Sequence, residues 1–314
     1  MMDVSAFSAF GKRMTENCRK VIVGKDDVVE QVVICLIAGG HVLLEDVPGT
    51  GKTMLLRAFS RSIGGDFRRI QFTPDLLPSD LTGINFYNQK HGEFEFRRGP
   101  LFTNFVLADE INRATPRTQS ALLEVMEEKQ ISVDGLTNSL PAPYMVMATQ
   151  NPVESYGTFP LPEAQMDRFF MRLRLGYMDR DEELSVLRRA DSKAILSDLE
   201  PVVTVDELLA LQAAYPQVRV SDDVAGYLMD LIAYTRSSEI VNLGVSTRGA
   251  LALYRAAQIH AALHDRDYVI PEDVKQEALC VLPHRIFLAG NSHLNAEAFL
   301  QRAMDELTVP LEDL

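Results

Sequence analysis

Apolar residues follow two different periods along this chain, and the period changes partway through it. Phe7, Phe10 and Met14 are spaced for one face of a helix over residues 4–20. After the apolar turn Val21–Lys25, the acids Asp26 and Asp27 suit the start of a second helix running through Ala38, and Gly39-Gly40 end it. Five strands are then expected: the apolar run His41–Leu44, Phe67–Phe72, the buried run Asn104–Ala108, the apolar run Tyr144–Thr149, and Phe169–Leu175. Helical patterns separate them. One follows the first strand through Met54–Phe59. Another starts with Thr115 as cap and Pro116 at the first position, with Leu122, Leu123 and Met126 on one face. Strands alternating with helices predict a parallel sheet with helices on both faces.

Two stretches alternate at the strand period instead. Ile84 and Phe86, then Phe94 and Phe96, flank Asn88–Gly92 and predict a hairpin with a longer loop. It is either a surface decoration or an element that touches a partner. Ile131 and Val133, Asp134-Gly135, then Leu136 and Leu140 predict a tighter hairpin. Pro74 and Pro78 exclude a regular helix across residues 73–100. Beyond Gly176 the strand signals fade. Residues 180–190 read as a charged helix, and Ser197–Val203, with Pro201 inside it, reads as a boundary. Val224, Tyr227, Leu228, Leu231 and Ile232 form a helical stripe, and Pro271-Glu272-Asp273 open a further helix. The predicted fold is α/β: a five-stranded parallel sheet flanked by helices over residues 1–198, with hairpin inserts near 81–98 and 130–140, then an all-α domain over 199–314.

Composition narrows the classes. The 314 residues suit two domains. A hydrophobic share of 46% and a charged share of 24% are ordinary for a globular protein with a large core. The net charge of −13 opposes non-specific attraction to nucleic acid or anionic lipid. The Lys and Arg residues form no long basic run with interleaved aromatics. Cys18, Cys35 and Cys280 have no regular spacing and fit buried thiols in a reducing compartment. The first ten residues carry no basic-then-apolar signal, and the run Val32–Gly40 is too short to span a bilayer, so a cytoplasmic location and no direct membrane insertion are expected.

The chemistry centres on Glu45-Asp46-Val47-Pro48-Gly49-Thr50-Gly51-Lys52-Thr53, between a strand and a helix. Gly49 and Gly51 let the backbone turn tightly and aim N–H groups at phosphate oxygens. The following helix adds the positive end of its dipole. Lys52 reaches the outer phosphates, and the Thr53 hydroxyl suits Mg²⁺. The usual motif opens with glycine where this chain has Asp46, a residue that tolerates turn geometry. Phosphoryl hydrolysis needs further parts. Asp109 ends an apolar strand, where a carboxylate reaches a metal, and Glu110 is placed to polarise water. Asn151 follows another strand of the same sheet, at the edge where ligands gather. Arg168 reads either as a salt bridge to Asp167 or Glu163, or as an arginine finger on a neighbour's nucleotide. Arg248 falls in the first turn of a helix capped by Ser246, where a cation is disfavoured unless an anion lies near; a phosphate is one such anion, and a plain surface arginine is the alternative. His260 and His264 stand four apart without the Glu of a zinc-protease helix and are expected on a helix surface.

In their order these parts resemble an AAA+ ATPase of the MoxR family. The resemblance rests on the phosphate loop with its Asp46, on Ala108–Ala114, on Leu122–Glu128, on Ala148–Pro152 and on Leu161–Phe169. Gly244–Arg248 adds to it, with Thr247 where the family more often has Pro. It covers nearly the whole chain. It implies an AAA+ P-loop core with a C-terminal all-α lid, and ATP hydrolysis in a ring, expected to be a hexamer. It implies ATP and Mg²⁺ held by Pro48, Gly49, Thr50, Gly51, Lys52, Thr53, Met54 and Asp109, with Val23 and Gly24 near adenine. Glu110 would activate water, Asn151 act as sensor 1, Arg168 as finger in trans and Arg248 as sensor 2. The hairpins would match the family's helix-2 and pre-sensor inserts. The expected role is chaperone-like remodelling of a client protein, with metal insertion into a von Willebrand A-type domain partner as one form. A DNA-associated motor and a nucleotide-switched scaffold are the competing readings. The insert's few cations (Lys90, Arg97, Arg98) and the acidic net charge weigh against the first, and single-turnover kinetics separate the second.

Overall fold

The computed structural model describes residues 3–46, 49–150, 157–188, 192–290 and 294–310. Two helices lead: α1 (Ser5–Arg19), which buries Phe7, Phe10 and Met14, and α2 (Asp26–Ile37), with Asp26 and Asp27 in its first turn. There follow β1 (Val42–Glu45), α3 (Lys52–Ile63), β2 (Phe67–Gln71), α4 (Pro78–Thr82), β3 (Gly83–Asn88), β4 (Glu93–Arg98), β5 (Phe105–Asp109), α5 (Pro116–Glu128), β6 (Gln130–Val133), β7 (Leu136–Ser139), β8 (Met145–Gln150), α6 (Glu163–Met166) and β9 (Met171–Leu173).

Five of these strands form one parallel sheet in the order β2-β5-β8-β1-β9. Successive side chains divide between two cores, as the period of a strand requires. Phe105 and Leu107 of β5, with Met145 and Met147 of β8, join the core that holds α1, α2 and α3. Val106, Ala108, Val146 and Ala148 join the other, beneath Leu122, Leu123 and Met126 of α5. Burying each large apolar side chain contributes about 1.5–3 kcal/mol. His41 fixes the approach to β1. Its Nδ1 accepts from Val146 N (3.0 Å) and its Nε2 lies 3.0 Å from Met126 O. Burial lowers its pKa to about 4 and keeps it neutral.

Local chemistry differs from expectation at a few places. Pro78 opens the short helix α4, because proline is tolerated in a first turn. The last sheet strand spans only Met171–Leu173. Thr115 precedes α5, but its hydroxyl faces the Thr118 hydroxyl at 3.3 Å and caps no backbone N–H. Both hairpins form, β3 with β4 and β6 with β7. In the second, Asp134 and Gly135 both have positive φ (50° and 80°), which a two-residue hairpin turn demands.

The C-terminal part comprises α7 (Arg180–Arg188), α8 (Ser192–Ser197), α9 (Val205–Ala214), α10 (Asp222–Ser237), β10 (Val241–Leu243), α11 (Thr247–Leu263), α12 (Pro271–Val281), β11 (Phe287–Leu288) and α13 (Ala296–Glu306). It is helical, with β10 and β11 adding a small antiparallel ribbon. The expected boundary stretch is laid on the α/β part: Val202 N donates to Ser62 O (2.8 Å), and Asn17 Nδ2 donates to Glu200 O (3.1 Å). The core around α1 and α2 runs on without a break into Leu208, Leu228, Leu231, Leu253 and Val274. Polar ties reinforce it. Arg172 on β9 meets Glu297 at 2.5 Å, and the buried Arg285 meets Asp167 at 2.8 Å and Phe169 O at 2.6 Å. His260, expected at a helix surface, is buried, because α2 and α12 cover its face of α11; His264 stays half-exposed. Cys18 and Cys35 are buried, and Cys280 is partly so. Among the described residues, no helix is long and apolar enough to cross a membrane.

Candidate functional site

The carboxyl ends of β1, β5 and β8 meet at one edge, since Glu45 pairs with Gln150 and Ala108 with Ala148. The glycine-rich loop leaves that edge. Gly49 and Gly51 have φ of 91° and 94°, open only to residues without a side-chain clash, and no atom lies within 4 Å of where a Cβ would stand. α3 begins at Lys52, so its free N–H groups and dipole face the loop. Val47 and Pro48 lie outside the described residues. Lys52 Nζ donates to Asp46 O at 2.9 Å.

Asp46 has a clear role here. Its buried carboxylate accepts from Leu175 N (2.5 Å) and Gly176 N (3.1 Å), just after β9. Where other phosphate loops carry glycine, this one carries an anchor to the end of the neighbouring edge strand, β9.

The acids sit at the end of β5. Asp109 Oδ1 accepts from the Thr149 hydroxyl (2.7 Å), and Oδ2 accepts from Arg69 Nη2 (2.5 Å) and Nε (3.1 Å). Glu110 has φ of 57°, an uncommon backbone state for a side-chain-bearing residue. Its N–H donates to Thr149 Oγ1 (2.9 Å), and its Oε2 accepts from Gln71 Nε2 (2.7 Å) and lies 3.3 Å from Arg113 Nε. Thr149 is fully buried and serves both acids at once. These groups share a cavity of about 610 Å³ whose walls include Lys52, Thr53, Met54, Asp109 and Glu110. The Thr53 hydroxyl and Asp109 carboxylate are hard oxygen donors on one cavity, the chemistry that suits magnesium. Asn151 lies outside the described residues.

Arg168 and Arg248 are not on that cavity's walls. They converge on Glu127, near the end of α5. Arg168 Nη1 lies 3.1 Å from Glu127 Oε2 and donates to Leu123 O at 3.0 Å. Arg248 Nη2 donates to Glu127 Oε1 at 2.6 Å. So the partner of Arg168 is neither Asp167 nor Glu163. Asp167 instead binds the Ser246 hydroxyl and Arg285. Ser246 caps α11 through Gly249 N, as expected, and the anion that relieves Arg248 in the first turn is a carboxylate. Val23 and Gly24 also stand apart from the phosphate cavity. Lys25 Nζ donates to Tyr177 O (3.0 Å), and the Glu182 carboxylate covers Gly24 so closely that a Cβ there would clash. Gly24 and Lys25 therefore abut the chain that follows the segment anchoring Asp46.

Sequence reasoning missed Arg69, Gln71, Arg113, Thr149 and Glu127. Arg113 meets Glu110 only three residues away, but the partners of the others come from distant parts of the chain, and the parallel register (Gln71 opposite Asp109) is what brings Arg69 and Gln71 to the acids.

Comparison with known proteins agrees with this geometry. Residues 41–171 match the family described as "ATPase family associated with various cellular activities (AAA)", and residues 233–306 match the AAA lid domain. The uncharacterised protein YeaC of Bacillus subtilis is 51% identical over 303 residues, covering 96% of this chain and 95% of the relative. Chaperone MoxR1 of Mycobacterium tuberculosis is 39% identical, covering 93% of this chain and 80% of its own length. Protein MoxR of Methylorubrum extorquens is 31% identical over 88% and 87%. A candidate ATPase from Cytophaga hutchinsonii, known by crystal structure, superposes with a TM-score of 0.91 at 38% identity, covering 98% of this chain and 97% of that one.

Proposed function

The chain belongs to the MoxR family of AAA+ ATPases and hydrolyses ATP, and on that premise we propose that its catalytic centre is completed by a second copy, within a ring of six that remodels a client protein. Residues 1–198 would bind and hydrolyse the nucleotide, and residues 199–314 would act as the lid. The loop from Pro48 through Gly49, Thr50, Gly51, Lys52, Thr53 and Met54 would cradle the phosphates, with Val23 and Gly24 on the adenine side. Thr53 and Asp109 would hold Mg²⁺, which neutralises phosphate charge when bound. Glu110 would polarise the attacking water, and Asn151 would orient it.

One observation carries the shared site: Arg168 and Arg248 meet each other at Glu127, outside the cavity that holds Lys52, Thr53, Asp109 and Glu110. Both guanidinium groups are partly exposed, and Arg168 lines a surface cavity together with Glu124, Glu127 and Glu128. A neighbour's terminal phosphate is an anion that would displace Glu127 and draw both. Such a finger contributes on the order of 10³–10⁵ in rate, about 4–7 kcal/mol.

A protein client is favoured by the inserts. Phe94 (73% exposed), Tyr87 (53%) and Leu136 (67%) stand on the two hairpins, and Asn85 Nδ2 joins the hairpins through Asp134 (2.7 Å). Exposed apolar groups on a tied pair of hairpins suit a protein surface better than a phosphate backbone. The chaperone name of the mycobacterial relative agrees with remodelling. A partner with a von Willebrand A-type domain, matured by metal insertion, is the specific form we favour. A Glu110→Gln variant tests the reading: with ATP it should assemble into rings that retain nucleotide and hold a client. A chain that stays monomeric with ATP at every concentration would overturn the ring.

A further inference from the structure

Away from the nucleotide cavity, α2 and α11 bring together Glu30, His260 and His264. It is the one cluster among the described residues with the side chains and spacing of a metal centre. The Nε2 atoms of His260 and His264 lie 4.0 Å and 3.8 Å from Glu30 Oε1, and all three donor atoms fall within 4.8 Å of one another. The rings stack with centroids 4.3 Å apart, one helical turn separating them.

The hydrogen bonds behind these rings set their chemistry. His260 Nδ1 meets Asp273 Oδ1 at 2.6 Å, and His264 Nδ1 meets His260 O at 3.0 Å. A carboxylate and a carbonyl both accept, so each Nδ1 carries the proton and each Nε2 presents a lone pair toward Glu30. Asp273 does not need a cationic histidine. Arg266 already binds both its oxygens at 2.6 Å, and Ile270 N adds a third bond at 2.9 Å. His260 is 4% exposed, and its Nε2 has no hydrogen-bond partner. A buried lone pair with no donor is costly, and a cation would satisfy it.

We propose that Glu30, His260 and His264 bind a divalent transition-metal ion, zinc foremost, clasping α2 to lid helix α11. Two imidazoles and one carboxylate, each imidazole backed by a hydrogen-bond acceptor, make a familiar three-ligand zinc set. Tetrahedral zinc with bonds of roughly 2.0–2.1 Å needs donors about 3.3 Å apart, so the two Glu30 distances shorten by about 0.5–0.7 Å and the histidine pair by at most about 1.5 Å. Glu30 and His264 are partly exposed and able to move that far. A cavity of about 400 Å³, lined by Glu30 and His264 together with Lys12, Glu16 and Asp265, adjoins the cluster and would let an ion reach it. Imidazole ligation selects zinc over the magnesium that accompanies ATP.

The test uses the full chain, stripped with chelator and dialysed against zinc chloride. Metal analysis should find about one zinc per chain, and cobalt(II) should give the intense visible bands of a tetrahedral site. His264→Ala and Glu30→Gln change only partly exposed ligands. Each should fold as wild type yet weaken zinc binding by about 10–100-fold or more and abolish the cobalt bands. Zinc should raise the thermal midpoint of wild type and not of these variants. No bound zinc, as for a histidine bonded to Glu30 by a proton alone, or equal zinc affinity in wild type and both variants, overturns the site.

Discussion

Replacing Asp46 by glycine restores the usual residue of a phosphate-binding loop, and here it should be harmful. The carboxylate is buried and accepts from Leu175 N at 2.5 Å and Gly176 N at 3.1 Å. A hydrogen bond to a charged group contributes about 1.5–3 kcal/mol, and a buried donor left alone costs about 1–3 kcal/mol. Gly176 is exposed, so water relieves part of that loss. Asp46→Gly should therefore cost about 3–5 kcal/mol, with added glycine flexibility on the same side. At roughly 2–4 °C per kcal/mol for large domains, the midpoint should fall by about 6–20 °C. Asp46→Asn keeps one carbonyl acceptor and should lose about half as much. Thermal unfolding of the nucleotide-free chain, paired with an ATP titration, measures both stability and loop order. If Asp46→Gly melts within 1 °C of wild type and binds ATP equally well, the carboxylate is not the anchor.

Two further outcomes follow from buried groups. Thr149→Val keeps shape but strips a donor from Asp109 and an acceptor from Glu110 N–H; it should cost about 1–3 kcal/mol in stability and lower kcat at least about tenfold with ATP still bound, read by steady-state kinetics beside unfolding. Burial, with Glu30 and Asp273 nearby, pushes the Glu277 carboxyl up from 4.5 to about 8 against the lowering effect of Gln31. Between those values the unfolded chain has lost a proton that the fold retains, so this group's contribution falls as pH rises from about 4.5 to 8 and is flat above. The loss is about 1.4 kcal/mol per pH unit at most. Glu277→Gln should remove that slope in denaturant titrations run from pH 5 to 9, and an unchanged slope would reject the assignment.

Local chemistry was the legible part of this chain. Gly49, Gly51, Lys52 and Thr53 lie within one turn of the chain, and Asp109-Glu110 directly end a strand, so their types and order carry their meaning. Strands β1, β5 and β8 were readable because each is a short apolar run with both faces buried, whereas β2 carries exposed Arg68, Arg69 and Gln71 at the edge of the sheet. Groups that meet only through the fold were not readable. Thr149 gains its role when β8 lies beside β5, and Glu127 when α5, α11 and the segment before β9 converge. Asp46 shows the same limit from the other side: its turn tolerance was visible, but its partners are about 130 residues away. His260 looked like a surface residue because helical spacing alone does not reveal that α2 and α12 cover that face.

The most direct measurement mixes two variants that are each inactive for a different reason. Arg168→Ala retains the phosphate loop and Glu110 but loses the guanidinium, while Lys52→Ala retains Arg168 but does not bind ATP. If the arginine acts on the neighbouring subunit, an equal mixture allowed to assemble should hydrolyse ATP well above the sum of the separate variants. Turnover no greater than the average of the two would contradict a catalytic centre shared between chains.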